Sequence, residues 1–266
     1  MGSHATAGGS FWARHGVGPV LLAHRGSSVH ETENTLAAFR RAMAEGADGV
    51  ELDVQGCATG EVVVFHDDDL SRLAGRPERV ASLPFAALRE VRLLGGGEIP
   101  TLAEAIEACG PRALVNIEIK GSGIRPPGCR ALVAGVAEVV GRMGAAWRVL
   151  VSSFSPAALW LWRRRRPDVP CGLLCARPRP SQRPWFPRRE RLLPLLRPFA
   201  VHPEDGLCGP EAVARWHERG YAVNVWTVDA AARLQALSAM GVDGIITNDP
   251  AGARAALALT ARSGGG

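Results

Sequence analysis

Lysine is nearly absent from this chain of 266 residues: Lys120 is its one lysine, and arginine supplies the other basic charges. No stretch of about 18 uncharged apolar residues occurs, which excludes a transmembrane helix. The first 16 residues lack an apolar core, so we expect no secretory signal peptide. The six cysteines lack the spacing of a disulfide framework or a zinc site. We therefore expect reduced, buried thiols and a cytoplasmic location.

Short apolar runs alternate with amphipathic patterns along the chain. Nine runs are typical of strands: 19–24, 49–54, 62–66, 113–119, 148–152, 170–174, 198–202, 222–228 and 244–247. Helical patterns cover 34–45, 101–109, 129–143, 156–165, 210–219, 230–240 and 250–261. This alternation predicts a parallel sheet with helices outside. Because a tight turn joins 49–54 to 62–66, we expect one of that pair to be an extra hairpin strand. Eight strands then remain for an α/β fold, the (β/α)₈ TIM barrel.

No internal repeat or linker divides the chain, and its length suits one large α/β domain. Two stretches depart from the alternation, one before the helix at 101–109 and one before the strand at 198–202. We predict one barrel domain at 19–260, between a flexible N-terminus at 1–18 and a flexible C-terminus at 261–266. Within the domain we predict a small insertion at 67–98, after the first strand–hairpin unit, and a basic loop at 176–198. We expect a short helix near 84–90 within the insertion.

Residues of catalytic types lie at the ends of three apolar runs. The run PVLLAH ends at His24, GVELDV contains Glu51 and Asp53, and VVVFH ends at His66. Strand alternation puts both carboxylates on one face, where their burial is costly unless a cation lies between them. The histidines lie where strands give way to loops, a usual position for catalytic groups. The pattern predicts a divalent-cation site with two acid–base histidines, which suits a phosphate ester.

The single lysine belongs to the segment NIEIK, in which Glu118 and Lys120 share one face. By itself this spacing is more typical of a structural ion pair. Beside Glu51 and Asp53, the better interpretation is that Glu118 is a third metal ligand and Lys120 a phosphate contact. Three carboxylates without a cysteine or histidine favour a hard cation bound by oxygen, Mg²⁺ or Ca²⁺.

Residues 176–198 contain seven arginines and six prolines. The prolines predict an irregular loop, which should leave the barrel at its active-site face. Together with the run 163–166 it forms a positive region, either a solvated face or a surface attracted to phosphate-bearing substrates or an anionic membrane. Its apolar side chains would suit a bilayer surface: Trp185, Phe186, Leu192, Leu193, Leu195 and Leu196. No recognition motif or aromatic platform accompanies the charge, so we expect no nucleic-acid partner.

The order and spacing of nine segments resemble those of the glycerophosphodiester phosphodiesterase family over roughly residues 20–250. The segments are AHRG, ENTLAAF, GVELDV, VVFHD, IPTLAEA, NIEIK, VSSFSP, VNVWTV and GIITNDP. The resemblance implies a (β/α)₈ barrel of lipid metabolism that hydrolyses glycerophosphodiesters to an alcohol and glycerol 3-phosphate with a divalent metal. It also implies a cyclic phosphate formed by attack of the glycerol 2-hydroxyl and opened by water.

The resemblance also suggests a role for each matching position. His24 and His66 correspond to the acid–base pair, Arg25 and Lys120 to phosphate contacts, and the metal ligands to Glu51, Asp53 and Glu118. Phe154 and Trp226, at other strand ends, either line a glycerol pocket or pack in the core, and His202 is a further candidate for the open end of the barrel. The chain departs from the family pattern at Thr32, Thr59, Leu73, Ala74 and Asn248, none of which belongs to the implied site.

Three functions remain open at this point. The first is a glycerophosphodiester phosphodiesterase, which the intact set of site residues favours. The second is a phospholipase D-type activity on lysophospholipids, which a basic loop near the open end would favour. The third is a catalytically silent barrel that binds phosphate ligands, for which a lost histidine or carboxylate would be typical. The pattern indicates no oligomeric state.

Overall fold

The structure, a computed structural model, describes residues 18–120, 127–177 and 189–263. The predicted N-terminal segment lies outside these residues up to residue 17, as does the part of the predicted basic loop at 178–188. At the other end, a helix runs to Ser263 and so includes the first three residues of the predicted C-terminal segment at 261–266, whose flexibility stays a prediction.

Eight parallel strands close into a barrel. One further strand, at Val62–Val64, pairs antiparallel with the barrel strand at Gly49–Gly56. The strands are β1 (Val20–His24), β2 (Gly49–Gly56), β3 (Val62–Val64), β4 (Leu114–Ile119), β5 (Val149–Ser153), β6 (Cys171–Cys175), β7 (Ala200–Pro203), β8 (Ala222–Val225) and β9 (Gly244–Thr247). Strand β1 pairs with both β2 and β9, which closes the barrel. The (β/α)₈ prediction is confirmed, and the extra hairpin strand is β3.

The described residues form ten α-helices. They are α1 (Leu36–Ala44), α2 (Ser71–Ala74), α3 (Phe85–Arg89), α4 (Leu102–Ala108), α5 (Pro127–Arg142), α6 (Pro156–Arg165), α7 (Leu193–Leu196), α8 (Pro210–Glu218), α9 (Ala231–Ala239) and α10 (Pro250–Ser263). The starts of the first barrel helices follow from caps: Thr35 accepts from the backbone N–H of Ala38, and Thr101 and Glu104 form the predicted capping box. No helix of the described residues combines the length and apolar character needed to cross a bilayer.

The hairpin of β2 and β3 carries the insertion, which comprises α2, a 3₁₀ turn at Val80–Ser82 and α3. The expected short helix near 84–90 is α3. A separate apolar cluster joins the insertion to the hairpin: Cys57, Val63, Phe65, Leu70, Val80, Leu88, Val91, Leu93 and Ile99. Packing against this cluster holds the insertion beside the end of β3, where His66 follows.

Inside the barrel, an apolar layer closes the end at which the strands begin. It consists of Val20, Leu22, Leu114, Leu150, Ala200 and Ile246. Neighbouring strands approach closely here, because a Cβ on Gly49 would lie 2.1 Å from the carbonyl oxygen of Leu114. Above this layer the inward positions turn polar, with Glu51, Asn116 and Asn224 all buried. The opposite end, where the strands finish, is therefore the open end and the place for a site.

The predicted basic loop is helical over 189–196, with a 3₁₀ turn at Arg189–Leu192 followed by α7. The irregular-loop prediction is wrong there, because Pro194 lies in the first turn of α7, where its missing N–H costs no hydrogen bond. Leu193 and Leu196 are buried in the core, and of the four leucines only Leu195 is fully exposed. Trp185 and Phe186 lie outside the described residues. The prediction of an apolar surface therefore holds in this part for Leu195 alone.

All six cysteines are buried, and none forms a disulfide bond within the described parts of the chain. Burial raises the pKa of the Cys109 thiol to about 12 and that of Cys171 to about 11. Both thiols are thus protonated near neutral pH and behave as small apolar side chains. The burial of the thiols matches the prediction.

Candidate active site

Three buried carboxylates converge at the open end of the barrel. Glu51 and Asp53 project from β2 and Glu118 from β4, with 4%, 1% and 8% of each residue exposed. One oxygen from each lies within 4.8 Å of the others. The register of β2 and β4 explains the convergence, since Asp53 pairs with Glu118 across the ladder. Alternation along β2 brings Glu51 to the same face, as predicted.

Two cations lie against Asp53. The ammonium nitrogen of Lys120 is 2.8 Å from Asp53 Oδ1 and 2.8 Å from Glu118 Oε1. The guanidinium Nε of Arg25 is 3.1 Å from Asp53 Oδ2, and the side-chain amide of Asn34 donates to the same oxygen at 2.9 Å. Although burial acts in the opposite direction, Lys120 and Arg25 lower the pKa of Asp53 to about 2. Asp53 is therefore ionised throughout the neutral range.

Among the described residues, no arginine or lysine side chain lies at ion-pair distance from Glu51, and the imidazole Nε2 of His24 is 4.0 Å from Glu51 Oε2. The backbone N–H of Arg25 donates to that oxygen at 3.3 Å. Burial, with Asp53 and Glu118 nearby, raises the pKa of Glu51 well above its ordinary value. Burial and the negative charge of Asp53 likewise raise the pKa of Glu118. The cluster is short of positive charge at Glu51, which is the condition that a bound cation relieves.

The donor set fits a hard divalent cation. All three groups are carboxylates, and their spacing allows one oxygen of each to reach a common ion at 2.0–2.6 Å, the usual range for Mg²⁺ and Ca²⁺. No cysteine or histidine belongs to the set, so the soft-ligand chemistry of a zinc site is not available.

His24 is held by an amide rather than by a carboxylate. Its Nδ1 lies 2.7 Å from Asn248 Oδ1. The amide orientation of Asn248 is fixed because its Nδ2 donates to Asp229 at 2.7 Å and its Oδ1 accepts from Ser28 at 3.1 Å. His24 Nδ1 must therefore carry the proton, and Nε2 is left free as an acceptor. Burial, with a smaller effect from Arg25, lowers the pKa of His24, so the neutral ring is the main form at neutral pH.

His66 has a carboxylate partner. Its Nδ1 lies 2.5 Å from Asp67 Oδ1, and about a third of its side chain is exposed. Burial lowers the pKa of His66, while Asp53 and the hydrogen bond to Asp67 act in the opposite direction. The other oxygen of Asp67 accepts from Arg72 Nε at 2.6 Å. Both predicted histidines thus reach the open end, each with Nδ1 hydrogen-bonded and Nε2 available.

Arg25 reaches the carboxylates through an unusual backbone. Its φ of 59° is left-handed, and Gly26 follows at 86°. Its backbone N–H donates to the carbonyl of Glu51 at 2.8 Å. Its guanidinium lies between Asp53 and Glu33, whose Oε1 is 2.8 Å from Nη1. Arg25 therefore carries positive charge at the edge of the carboxylate cluster.

Phe154 and Trp226 lie at the ends of β5 and β8 with their rings perpendicular and the ring centroids 5.6 Å apart. Both are partly exposed, and the indole N–H of Trp226 donates to the carbonyl of His202 at 2.7 Å. The edge-to-face pair forms an apolar wall at the open end. The structure brings these two residues together, and this position suits the wall of a glycerol pocket.

His202 does not reach the open end. It is fully buried, its Nε2 pairs with the side-chain nitrogen of Asn224 at 3.0 Å, and its Nδ1 has no hydrogen-bond partner among the described residues. Its ring fills space beside Gly172, where a Cβ would lie 2.4 Å from Nε2. The expectation from its strand position is wrong because the missing side chain of Gly172 lets the ring lie inside the barrel.

Sequence reasoning missed the residues that support the site: Glu33, Asn34, Asp67, Arg72 and the role of Asn248. Two signals could have found some of them. Glu33 and Asn34 belong to the quoted segment ENTLAAF, and Asp67 directly follows His66. Nothing local marks Arg72, because its partner Glu33 lies 39 residues away.

A cavity of about 410 Å³ lies between the β2–β3 hairpin and α5. Lys120 lines it, and so do Asp68 and Arg79 of the insertion. Its size is within the range of small-molecule sites.

Residues 24–252 match the family model described as the glycerophosphoryl diester phosphodiesterase family. The chain is 33% identical over 241 residues to a glycerophosphodiester phosphodiesterase of Caldanaerobacter subterraneus subsp. tengcongensis, with 87% of this chain and 94% of that protein covered. The solved structure of an Oleispira antarctica phosphodiesterase in complex with the product sn-glycerol-3-phosphate is similar, with a TM-score of 0.78, 26% identity, and 91% and 97% of the two chains covered. A solved structure from Silicibacter pomeroyi, with a TM-score of 0.87, 24% identity, and 97% and 99% of the chains covered, supports the fold alone.

Proposed function

The chain belongs to the glycerophosphoryl diester phosphodiesterase family and is an enzyme of that class, and we propose that it hydrolyses soluble glycerophosphodiesters to glycerol 3-phosphate and an alcohol. The observation that supports this most is the convergence of three buried carboxylates and two cations with two histidines whose Nε2 atoms are available. A silent phosphate-binding barrel needs no such pair of histidines. The product in the Oleispira antarctica structure is consistent with the same substrate class.

We assign the metal to Glu51, Asp53 and Glu118, and the phosphate contacts to Arg25 and Lys120. The ion would be Mg²⁺ or Ca²⁺, and when bound it would neutralise phosphate charge. Arg25 and Lys120 add fixed positive charge beside the same group, which stabilises the negative charge that develops on the phosphoryl oxygens. Phe154 and Trp226 would cover the carbon atoms of the glycerol.

In the proposed first step, His24 Nε2 accepts the proton of the glycerol 2-hydroxyl. That oxygen forms a bond to phosphorus, the bond from phosphorus to the alcohol oxygen breaks, and His66 gives a proton to the departing oxygen. His24 suits the base because burial keeps its ring neutral and the hydrogen bond from Nδ1 to Asn248 leaves Nε2 free, and His66 suits the acid because Asp67 supports its protonated form against the effect of burial. In the second step, His66 accepts a proton from water, which opens the cyclic phosphate, and His24 returns its proton to the 2-oxygen.

The test is an assay of the purified chain with Mg²⁺ or Ca²⁺ on sn-glycero-3-phosphocholine. Release of glycerol 3-phosphate, with a transient cyclic glycerophosphate seen by ³¹P NMR, is the expected result. The double variant His24→Ala/His66→Ala serves as the control for contaminating phosphodiesterases. The absence of glycerol 3-phosphate with both metals would contradict the proposal and favour the silent barrel.

A lysophospholipid substrate is the second candidate, and one surface favours it. A groove of about 500 Å³ between α5 and α6 is lined by three arginines, Arg130, Arg164 and Arg165, and by Trp160, which is half exposed. The guanidinium carbon of Arg164 lies 5.0 Å from the centre of the Trp160 ring. Exposed arginine beside tryptophan suits the interface of an anionic bilayer.

The position of this groove argues against the second candidate. Barrel helices run back from the open end, so Arg164 and Arg165, in the last turn of α6, lie toward the closed end. The described basic residues near α7 lie there too, since Arg163 donates to the carbonyl of Leu196 and Arg197 precedes β7. Among the described arginines of 176–198, Arg177 directly follows β6 and therefore lies toward the active-site face. A bilayer on this groove would not face the carboxylates.

Liposome sedimentation separates the candidates. If lysolipid is the substrate, the protein should bind anionic but not neutral liposomes at low salt, and Arg164→Ser/Arg165→Ser should lower activity on lysophosphatidylcholine more than on glycerophosphocholine. Arg142→Ser is the matched control, because Arg142 is an exposed arginine of α5 that pairs with Glu138. Equal activities of these variants on both substrates would leave the soluble diester as the substrate. The cytoplasmic location stays a prediction.

A further inference from the structure

Arg72 joins two carboxylates that are far apart in the sequence. It lies in the short helix α2 of the insertion, outside the barrel. Its Nη1 and Nη2 donate to the two oxygens of Glu33 at 2.9 and 2.6 Å, and its Nε donates to Asp67 at 2.6 Å. One guanidinium therefore uses both edges of its planar fork, which fixes the two acids relative to each other.

Each of these acids holds a residue of the site. Glu33 accepts from Arg25, and Asp67 is hydrogen-bonded to His66. Since Arg25 also contacts Asp53, an unbroken series of ion pairs, ending in the hydrogen bond to the imidazole, runs in the order Asp53, Arg25, Glu33, Arg72, Asp67 and His66. Arg72 connects the part that contains Arg25 and Glu33 to the part that contains Asp67 and His66.

The energetics favour positioning over stabilisation as the role of Arg72. Its side chain is 48% exposed, and ion pairs at such exposure contribute little net stability. Glu33 and Asp67 are more buried, with 16% and 23% of their side chains exposed. Without Arg72, the inner carboxylates keep Arg25 and His66 as partners but lose the contact that fixes their orientation. Removal should thus alter the geometry of the site more than the stability of the fold.

We propose that Arg72 is a positioning residue through which the insertion orients His66 and Arg25 toward the phosphate. This inference rests on the proposed function. It assigns to the insertion a part in the chemistry, because α2 supplies the residue that joins the two sides of the site. A lysine at this position would keep the charge but could not engage both acids with a planar fork.

The test compares Arg72→Met and Arg72→Lys with Arg76→Met. Arg76 is the matched control, since it is an arginine of the same insertion with 41% of its side chain exposed, and its ion pair is with Glu78, which is remote from the series. We expect Arg72→Met to lower kcat by about 10–100-fold with little change in Tm. Arg72→Lys should restore only part of the loss, and Arg76→Met should leave kcat unchanged.

A second readout does not depend on turnover. In ¹⁵N NMR spectra of the His66 imidazole, the hydrogen-bonded Nδ1–H signal should shift or broaden in Arg72→Met and stay unchanged in Arg76→Met. An unchanged His66 signal, or a loss of kcat matched by an equal loss of stability, would overturn the positioning role. A wild-type protein without phosphodiesterase activity would instead contradict the proposed function, and the NMR comparison would still decide whether Arg72 orients the ring.

Discussion

The Nδ1 atom of His24 lies 2.7 Å from the side-chain oxygen of Asn248, so a neutral amide orients this catalytic candidate. An amide fixes the tautomer without adding a charge that would favour the imidazolium ion. Burial therefore remains the dominant influence on the ring, and the pKa of His24 is below its ordinary value.

Replacing this amide by a carboxylate should raise the pKa of His24. In Asn248→Asp, the new carboxyl group would lie between His24 Nδ1 and Asp229, and once ionised its negative charge, 2.7 Å from Nδ1, would stabilise the imidazolium ion. The limb of the pH–rate profile that His24 controls should move to higher pH, whether His24 acts as acid or base. The measurement is kcat/KM against pH for the wild type and Asn248→Asp. Superimposable profiles would show that His24 does not control either limb.

Loss of either histidine should reduce turnover without unfolding the protein. His24→Ala and His66→Ala should each lower kcat by roughly 10²–10⁴-fold, the usual contribution of a positioned acid or base. His217→Ala is the matched control, because His217 lies on the outer helix α8 and its side chain pairs with Asp243. Saturating-substrate assays and thermal melts check this result. Near-normal turnover of either site variant would remove that histidine from the mechanism.

Metal binding should release protons. Because burial and two neighbouring carboxylates raise the pKa of Glu51, this group holds a proton at mildly acidic pH, and a bound cation would displace it. Calorimetric titration with Mg²⁺ or Ca²⁺ in two buffers of different ionisation enthalpy should show release of about one proton per ion. Affinity should rise with pH. The variant Glu51→Gln should bind more weakly and release fewer protons. A buffer-independent binding enthalpy in the wild type would argue against this carboxylate as a ligand.

The fold should lose stability as the pH falls below about 6.5, in part through His202. Burial lowers the pKa of His202 to about 3, so between these two values the unfolded chain binds a proton that the folded protein does not. At pH 5 this contributes about 2 kcal/mol of destabilisation relative to neutral pH. Denaturant unfolding at the two pH values measures the fall in the free energy of unfolding. This fall should be smaller in His202→Gln than in the wild type by about that amount. Identical falls for variant and wild type would mean that His202 titrates normally in the fold.

The sequence allowed prediction of the barrel and of the convergent residues, since both depend on local pattern. Alternation along β2 and β4 is enough to bring Glu51, Asp53 and Glu118 to one face, and strand ends of a parallel barrel meet at one end. The site's supports were harder to predict. The contact of Arg72 with Glu33 exists only because the insertion folds back onto the hairpin through its own apolar cluster.

Two wrong predictions have the same physical origin, which is that tertiary packing overrides local preference. The prolines of 189–198 suggested an irregular loop, yet Leu193 and Leu196 are buried in the core and the segment forms a helical turn. His202 follows the pattern of a site residue at a strand end, yet the absence of a side chain at Gly172 leaves a space inside the barrel that its ring occupies. A local stretch of sequence shows neither the core residues that Leu193 and Leu196 contact nor the space beside Gly172 that the His202 ring occupies.

Because the chain has a single lysine, a reagent directed at lysine side chains can act at one position, Lys120. A lysine-specific protease can divide it only after residue 120, into fragments 1–120 and 121–266. To enter the protease, the Lys120 side chain must leave Asp53 and Glu118, to which its ammonium group is bound. Amine acylation faces the same barrier, because these carboxylates raise the pKa of Lys120 against the effect of burial and keep it protonated. A cut after residue 120, or an acyl group located on the Lys120 side chain, would thus report directly on whether the carboxylate cluster is intact.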